Sequence, residues 1–186
     1  MHRYPSCGYE ILNKPQLIKP QSRNLHETCS LATPNRKTFL YTMPILAKAQ
    51  LEKVHSLIQA ERLVTLDPVR PHIPASIRLR PGREIYHIDE KSAICLAYVN
   101  SIPATEKQLL ASLIGPIAVA YSVWSFQKGH GRRIVLDTLN LVKSTKRIKK
   151  FLTFSPKTAT ATQFHLSNGA LLVATHNSAN TFEYKL

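Results

Sequence analysis

The pattern of hydrophobic and polar residues divides the chain into two parts. Residues 1–43 show no sustained period and are rich in Pro, Ser, Asn and Gln, which is typical of irregular chain. From residue 44 onward, apolar residues recur at the spacings of helices and strands. We therefore predict an irregular or disordered tail over residues 1–43 and one folded domain over residues 44–186.

Within that domain the pattern predicts interleaved helices and strands. Helical spacing predicts four helices, over residues 45–64 and 105–113, after the loop 127–131, and over residues 159–168. β-rich runs predict strands at residues 83–88, 93–99, 117–126, 151–154, 171–174 and 182–184. Because strands and helices interleave after residue 115, we expect an α+β domain with α/β layering, in which helices flank one mixed central sheet.

Charge and composition narrow the class of protein but leave its partner open. The chain is 44% hydrophobic, enough for a core, and 25 Lys and Arg against 11 Asp and Glu give a formal net charge of +14. Such a charge attracts nucleic acid, anionic membranes or phosphorylated ligands. The longest apolar stretch, residues 114–121, is too short to cross a bilayer, so we expect no membrane span.

Cysteine and histidine usage argues against a disulfide framework and against a metal site. Three Cys without a C-x-x-C motif favour a reducing compartment, and we expect the cytoplasm. The eight His include no H-E-x-x-H motif and no Cys partner at ligand spacing. Residues 1–43 are basic, hydroxyl-rich and poor in acids, so a transit segment that directs the protein to the mitochondrial matrix is the alternative.

A strand, a loop and a helix over residues 118–143 form the first candidate site. The loop reads Gln127-Lys128-Gly129-His130-Gly131-Arg132, and its two glycines let a ligand approach the backbone closely. The helix that follows offers free N–H groups and the positive end of its dipole to a phosphate. The alternative is a tight charged turn, because the loop matches neither the Walker motif nor the dinucleotide motif.

Ser155 and His165 form the second candidate. Ser155 follows the predicted strand 151–154, Pro156 favours a sharp turn there, and His165 lies in the next predicted helix. A hydroxyl and an imidazole in contact can move protons near neutral pH. The alternative is a turn serine and a packing histidine, since no G-x-S-x-G motif and no suitably spaced Asp completes a hydrolase triad.

Together these segments resemble the malonyl-CoA decarboxylase family. Residues 120–123 followed by 127–131 resemble the family's acyl-CoA-binding strand and loop, and residues 152–156 are similar to its Thr-Leu-Ser-Pro. Phe164-His165-Leu166-Ser167-Asn168-Gly169-Ala170 is close to its Phe-His-Leu-x-Asn-Gly-Ala. With weaker likenesses at residues 78–86 and 182–184, the resemblance covers about residues 65–186.

The resemblance implies a fold, a ligand and a catalytic pair. The fold is the GNAT-like acyl-CoA N-acyltransferase fold, and the ligand is malonyl-CoA or a related acyl-CoA. Ser155 and His165 match the family's catalytic pair, and the CoA pyrophosphate would lie over residues 127–132. We expect backbone N–H groups of Ser122, Val123 and Trp124 to form an oxyanion hole. We expect no metal or organic cofactor, since the CoA moiety belongs to the substrate.

Departures from the family keep two other functions open. We expect at most one helix where the family has its N-terminal helical domain. Only ten residues separate Ser155 from His165, where the family has a long insertion, and His130 replaces an apolar loop residue. One alternative is a GNAT-type N- or O-acyltransferase with Glu183, His176 or Tyr184 as base. The other is a nucleic-acid-binding module, which the charge favours. We expect no nucleic-acid partner, because RNP-like and zinc-knuckle motifs are missing. A homo-oligomer is left open.

Overall fold

The structure is a computed structural model that describes residues 50–145 and 147–186. The irregular tail predicted for residues 1–43, and the first residues of the helix predicted for 45–64, lie outside the described residues. The described chain forms one mixed sheet with helices on both faces, and each face has its own apolar core.

Seven strands form the sheet in the spatial order β1-β2-β3-β4-β5-β7-β6. Neighbouring strands are antiparallel except β4 and β5, which run parallel. The strands are β1 (Glu52–Lys53), β2 (Arg83–Ile88), β3 (Ser92–Val99), β4 (Ile117–Ser125), β5 (Lys150–Pro156), β6 (Leu171–Thr175) and β7 (Ala179–Tyr184).

Five described helices cover the two faces. Helices α1 to α3 contribute to the core on one face, and α4 and α5 pack on the other face. Their bounds are α1 (Leu57–Val64), α2 (Ala75–Arg78), α3 (Glu106–Ala111), α4 (His130–Lys143) and α5 (Ala159–Ser167).

The helix predicted for residues 45–64 is wrong over its described N-terminal part. Glu52 and Lys53 form strand β1 and pair with β2. The helix begins only at Leu57, because the Ser56 side chain accepts a hydrogen bond from the Gln59 amide at 3.2 Å and caps it. The apolar residues keep helical spacing on both sides of Ser56, so the spacing alone does not show that a strand precedes the helix.

Three other local predictions have clear outcomes. Thr105 caps α3 as predicted, by accepting from the Gln108 amide, although the helix ends at Ala111. Gly169 follows α5 at φ +86°, the left-handed conformation expected after a helix. The turn predicted at Ser155 is wrong, because Ser155 pairs with Asn180 inside β5.

The parallel strands β4 and β5 part at their carboxyl ends, and this divergence positions the site. Their pairing runs from Ile117 to Ala120 on β4 and stops at Thr153 on β5, although both strands continue. A bulge in the β3–β4 pairing lies between Ala120 and Ser122, opposite Leu96 and Cys95, and such a bulge bends the strand that carries it. The result is a gap between two strands that remain in one sheet.

The side chain of Arg70 lies in this gap and binds both strands. Its guanidinium group donates to the Tyr121 carbonyl and to the Phe154 carbonyl, the latter at 3.1 Å. These carbonyls lie one residue beyond the last paired residues of β4 and β5. Arg70 is only 6% exposed, and its Nε donates to Glu106 at 3.1 Å. The guanidinium therefore occupies the place of the missing ladder hydrogen bonds and keeps the strands apart.

A buried ion pair fixes the loop that carries Arg70. The Asp67 side chain accepts hydrogen bonds from the amides of Val69 and Arg70, at 2.7 and 3.2 Å. Arg78 pairs with Asp67 at 2.7 Å, with both side chains fully buried, and donates to the Arg70 carbonyl at 2.5 Å. Asp67 and Arg78, at the two ends of the segment 67–78, therefore fix the backbone at Arg70 and with it the direction of its side chain.

Candidate active site

The gap between β4 and β5 opens into a cleft of about 410 Å³. Val69 reaches it from the loop on the α1–α2 face, whereas Phe164 and His165 reach it from α5 on the other face. The cleft therefore extends between the strands from one face of the sheet toward the other. Its strand walls include Ala120, Tyr121, Val123, Trp124, Thr153, Phe154, Ser155 and Pro156.

His165 is the one histidine among the described residues that line this cleft. It is 4% exposed and its ring stacks on Phe182 with centroids 4.8 Å apart. Its Nδ1 lies 2.9 Å from the Tyr184 hydroxyl. Since this contact occupies Nδ1, Nε2 is the ring nitrogen left to meet a ligand in the cleft.

Burial decides the charge of His165. It lowers the pKa of the imidazole from 6.5 to about 4, and it raises the pKa of the Tyr184 hydroxyl to about 12. Both groups are therefore neutral at pH 7. When Tyr184 donates to Nδ1, the imidazole carries its proton on Nε2 and presents an N–H donor to the cleft.

Lowering the pH from 7 to 4 is expected to destabilise the wild-type protein by about 3 kcal/mol more than His165→Asn. Between these pH values His165 takes up a proton in the unfolded chain but stays neutral when folded. Its contribution to stability is therefore complete above pH 6.5 and is lost as the pH falls to about 4. Urea unfolding at both pH values checks this, and equal losses in the two proteins would contradict it.

Ser155 lies in the same cleft as His165 but does not contact it through a hydrogen bond among the described residues. It is 5% exposed and lies opposite Asn180 in the β5–β7 pair. Residues Asn180, Phe182 and Tyr184 alternate along β7, so Ser155 and the ring of His165 are on the same face of the sheet. The structure thus places both members of the predicted pair in the lining of one cleft.

Of the three backbone donors predicted on β4, one faces the gap. Arg70 binds the Tyr121 carbonyl from the gap side, and the Phe126 amide bonds to Lys91 on the opposite side. Backbone groups of a strand alternate in direction, so the Val123 N–H points into the gap and those of Ser122 and Trp124 point toward β3. Val123 and Trp124 also line the cleft with their side chains.

The predicted phosphate loop lies at the mouth of the cleft, where Ser125 and Gly131 contribute to the lining. Helix α4 begins at His130, and Gly129 at its N-cap has φ +83°, a conformation that favours glycine. Within the described chain, no hydrogen-bond partner is found for the amides of Lys128, Gly129, Gly131 and Arg132. These amides and the dipole of α4 make the loop suited to an anion.

The residues considered as bases for acyl transfer have other contacts. Glu183 pairs with Lys150 at 3.4 Å, and His176 contacts the Thr181 hydroxyl at 3.1 Å. Neither lines the cleft. Tyr184 is the partner of His165.

Comparison with solved structures identifies the architecture. No protein-family model and no curated protein matches the chain. The loading GNATL domain of CurA from Lyngbya majuscula superposes with a TM-score of 0.55 and 12% identity, covering 73% of this chain and 97% of that domain. A Bacillus subtilis acetyltransferase in complex with CoA gives 0.54 and 13%, covering 75% and 99%.

The chain has the GNAT fold. This confirms the predicted fold class and the mixed sheet. A malonyl-CoA decarboxylase from Rhodopseudomonas palustris also superposes, with a TM-score of 0.49 and 19% identity over 68% of this chain. The present chain spans only 36% of the length of that protein.

Two further features of the GNAT domain concern metals and membranes. In the described ranges, no group of three or more His, Cys, Asp and Glu side chains is arranged to hold a metal ion. None of the described helices is both long and apolar enough to span a bilayer.

The roles of three residues at this site were not predicted from the sequence. Arg70 separates the strands, Thr153 lines the cleft, and Tyr184 holds the imidazole. Tyr184 had a signal, since it belongs to the segment 182–184 that resembles the decarboxylase family. Arg70 had none, because its partners are backbone carbonyls 51 and 84 residues away.

Proposed function

We propose that the protein is a carboxy-lyase of the malonyl-CoA decarboxylase type, which converts malonyl-CoA to acetyl-CoA and CO₂. The observation that carries the proposal is a neutral, buried His165 whose Nδ1 contacts Tyr184 in a cleft shared with Ser155. The sequence resemblance around Ser155 and His165 supports it. A CoA-sized ligand is supported by the GNAT fold and by the free amides at the cleft mouth.

The reaction needs an oxyanion site and a proton. Cleavage of the bond to the carboxylate releases CO₂ and leaves its electron pair on the thioester as an enolate. One proton added at carbon completes the balance, malonyl-CoA plus H⁺ giving acetyl-CoA plus CO₂. Donors aimed at the enolate oxygen lower the barrier, and one such donor is worth about 3 kcal/mol.

His165 and Val123 supply the donors. The neutral imidazole donates from Nε2, and the Val123 amide donates from the divergent end of β4. A neutral donor suits this step, because an imidazole of pKa about 4 carries its N–H without a charge at pH 7. The carbanion takes the Nε2 proton, Nδ1 takes the proton of Tyr184, and solvent restores the pair.

Ser155 orients the substrate carboxylate. Its hydroxyl lies on the His165 face of β5, near the end of that strand. A hydrogen bond from Ser155 would hold the carboxylate out of the plane of the thioester. In that orientation the electron pair of the breaking bond can pass into the thioester carbonyl as CO₂ leaves. We therefore assign Ser155 to substrate binding and His165 to oxyanion stabilisation and proton transfer.

GNAT-type acyl transfer is the second candidate, and the fold favours it. An acceptor amine must lose a proton, so the site needs a base that is active near pH 7. The low pKa of His165 makes it a poor base, and Glu183 and His176 do not line the cleft. We therefore propose decarboxylation ahead of transfer.

Incubation of the purified chain with malonyl-CoA tests the proposal. We expect acetyl-CoA and CO₂ without any acceptor, and in D₂O one deuterium in the acetyl methyl group, measured by mass spectrometry. Malonyl-CoA that survives unchanged would overturn the proposal. Acetyl-CoA that is consumed only when an amine or alcohol is added would instead establish the transferase.

Replacement of Lys128 and Arg132 by Ala is expected to raise KM for the acyl-CoA by about tenfold with little change in kcat. Both side chains are exposed on the predicted phosphate loop, away from the reacting atoms. Replacement of Lys107 and Arg80 by Ala removes the same two charges from exposed positions outside the cleft lining and serves as the control. A loss of the same size in the control would show a general charge effect, and an unchanged KM in the loop variant would remove the loop from the CoA site.

A further inference from the structure

The Thr153 hydroxyl is a buried polar group to which the described residues offer no hydrogen bond. Thr153 is 1% exposed, and its Oγ1 has no hydrogen-bond partner in the part of the chain that the structure describes. A buried hydroxyl without a partner lowers stability. Because Thr153 also lines the cleft, a bound ligand is the natural partner for its hydroxyl.

Thr153 lies at the inner end of the cleft. Thr153 and Ala120 form the last pair of the β4–β5 ladder, and the small Ala120 leaves room beyond it. Across β7, Thr153 is opposite Phe182, on which the ring of His165 stacks at 4.8 Å. Ser155 follows two residues later on the same face. Thr153, Ser155 and His165 therefore surround one end of the cleft.

The chemistry of the Thr153 hydroxyl indicates which acyl chain fits the inner end of the cleft. An alkyl group at the inner end would leave the hydroxyl as unpartnered as it is in the free protein. A carboxylate or carbonyl oxygen there would accept its hydrogen bond. Sites with a buried polar group discriminate strongly against analogues that cannot bond to it.

We infer that Thr153 is a substrate-binding residue whose hydroxyl donates to the terminal carboxylate of a short dicarboxylic acyl thioester. The inference rests on the proposed function for the identity of the thioester as malonyl-CoA. It extends that function by naming the group that distinguishes a carboxylate-bearing acyl chain from an apolar one of the same shape.

The test compares malonyl-CoA with isovaleryl-CoA, in which two methyl groups replace the carboxylate oxygens. Binding is measured by titration calorimetry in a His165→Asn background, so that turnover does not consume the ligand. We expect Thr153→Val to lower the affinity for malonyl-CoA by about tenfold and to leave isovaleryl-CoA binding unchanged or tighter. Thr153→Ser, which keeps the hydroxyl, should retain the preference for malonyl-CoA.

Thr138 offers a matched control. Its hydroxyl is also buried and unpartnered among the described residues, but it lies on α4 and does not line the cleft. Both Val variants remove such a hydroxyl, so we expect neither to lower the Tm. Only Thr153→Val should change the ratio of the two affinities.

Three outcomes would overturn the inference. Equal losses of affinity for both thioesters in Thr153→Val would indicate a packing defect. Unchanged affinities would show that Thr153 does not touch the acyl chain. An altered affinity ratio in Thr138→Val would show that the effect is not specific to Thr153. If Thr153→Val does not fold, Thr153→Ala beside Thr153→Ser gives the same comparison. Because binding is measured without turnover, a wild-type protein that releases no CO₂ would refute the decarboxylase and leave this result interpretable.

Discussion

Replacement of His165 by Asn is expected to lower kcat for the decarboxylation of malonyl-CoA by about three orders of magnitude. The variant removes the Nε2–H donor and, in the proposed reaction, the group that passes a proton to the carbanion. An Asn side chain is shorter and cannot exchange its proton with Tyr184. KM should change little, because we place the CoA moiety at the loop 127–132, away from His165.

Two further variants test whether the loss of kcat is specific to His165 and its contact with Tyr184. Tyr184→Phe keeps the ring packing and removes the contact to Nδ1 of His165, so we expect a smaller loss of kcat. His55→Asn replaces an exposed histidine that does not line the cleft, and it should be as active as wild type. A His165→Asn protein that keeps a tenth of the wild-type kcat would remove His165 from the chemistry. Circular dichroism confirms that each variant is folded.

Replacement of Arg70 by Met is expected to lower the free energy of unfolding by about 3 kcal/mol and to weaken acyl-CoA binding. The change leaves the carbonyls of Tyr121 and Phe154 without their donor and removes one of the two partners of Glu106, which also contacts His72. Without the guanidinium, β4 and β5 can also approach each other and narrow the cleft. Urea unfolding measures the first effect, and titration with acetyl-CoA measures the second.

Arg70→Lys separates charge from geometry. A lysine keeps the positive charge, but an ammonium group cannot span two carbonyls as a planar guanidinium does. We therefore expect Arg70→Lys to bind acetyl-CoA nearly as poorly as Arg70→Met. Arg80→Met, on an exposed arginine, should stay within about 0.5 kcal/mol of wild type. If Arg70→Lys bound acetyl-CoA like the wild type, charge alone would explain the role of Arg70.

The hairpin of β2 and β3, the strand-loop-helix unit of β4 and α4, and the end of α5 at Gly169 could all be predicted from sequence. Each depends on a pattern within a few residues: alternation in the strands, glycines in the loop, and a left-handed residue after the helix. The candidate pair Ser155 and His165 was also visible, because each lies in a short segment with a recognisable motif.

The same local patterns misplaced or missed other elements. The predicted helix over residues 45–64 had the right period, but pairing with β2 placed Glu52 and Lys53 in a strand. The one-turn helix α2 is too short to show a period. Ser155 continues β5 because β7 pairs with it, which Pro156 alone did not suggest. In each case a contact distant in sequence outweighed the local preference.

Residue order alone predicted the mixed α+β class from short-range periodicity, and the resemblance to the decarboxylase family added the GNAT-like fold, which the comparisons confirm. The phosphate loop and the pair Ser155 and His165 came from short motifs and stay predictions. Whether the site exists as a cleft was decided by tertiary contacts. Arg70 must meet carbonyls of two other strands, and Tyr184 must meet a histidine 19 residues earlier. Burial among those elements then makes His165 neutral at pH 7, a property that no spacing of residues in the sequence contains.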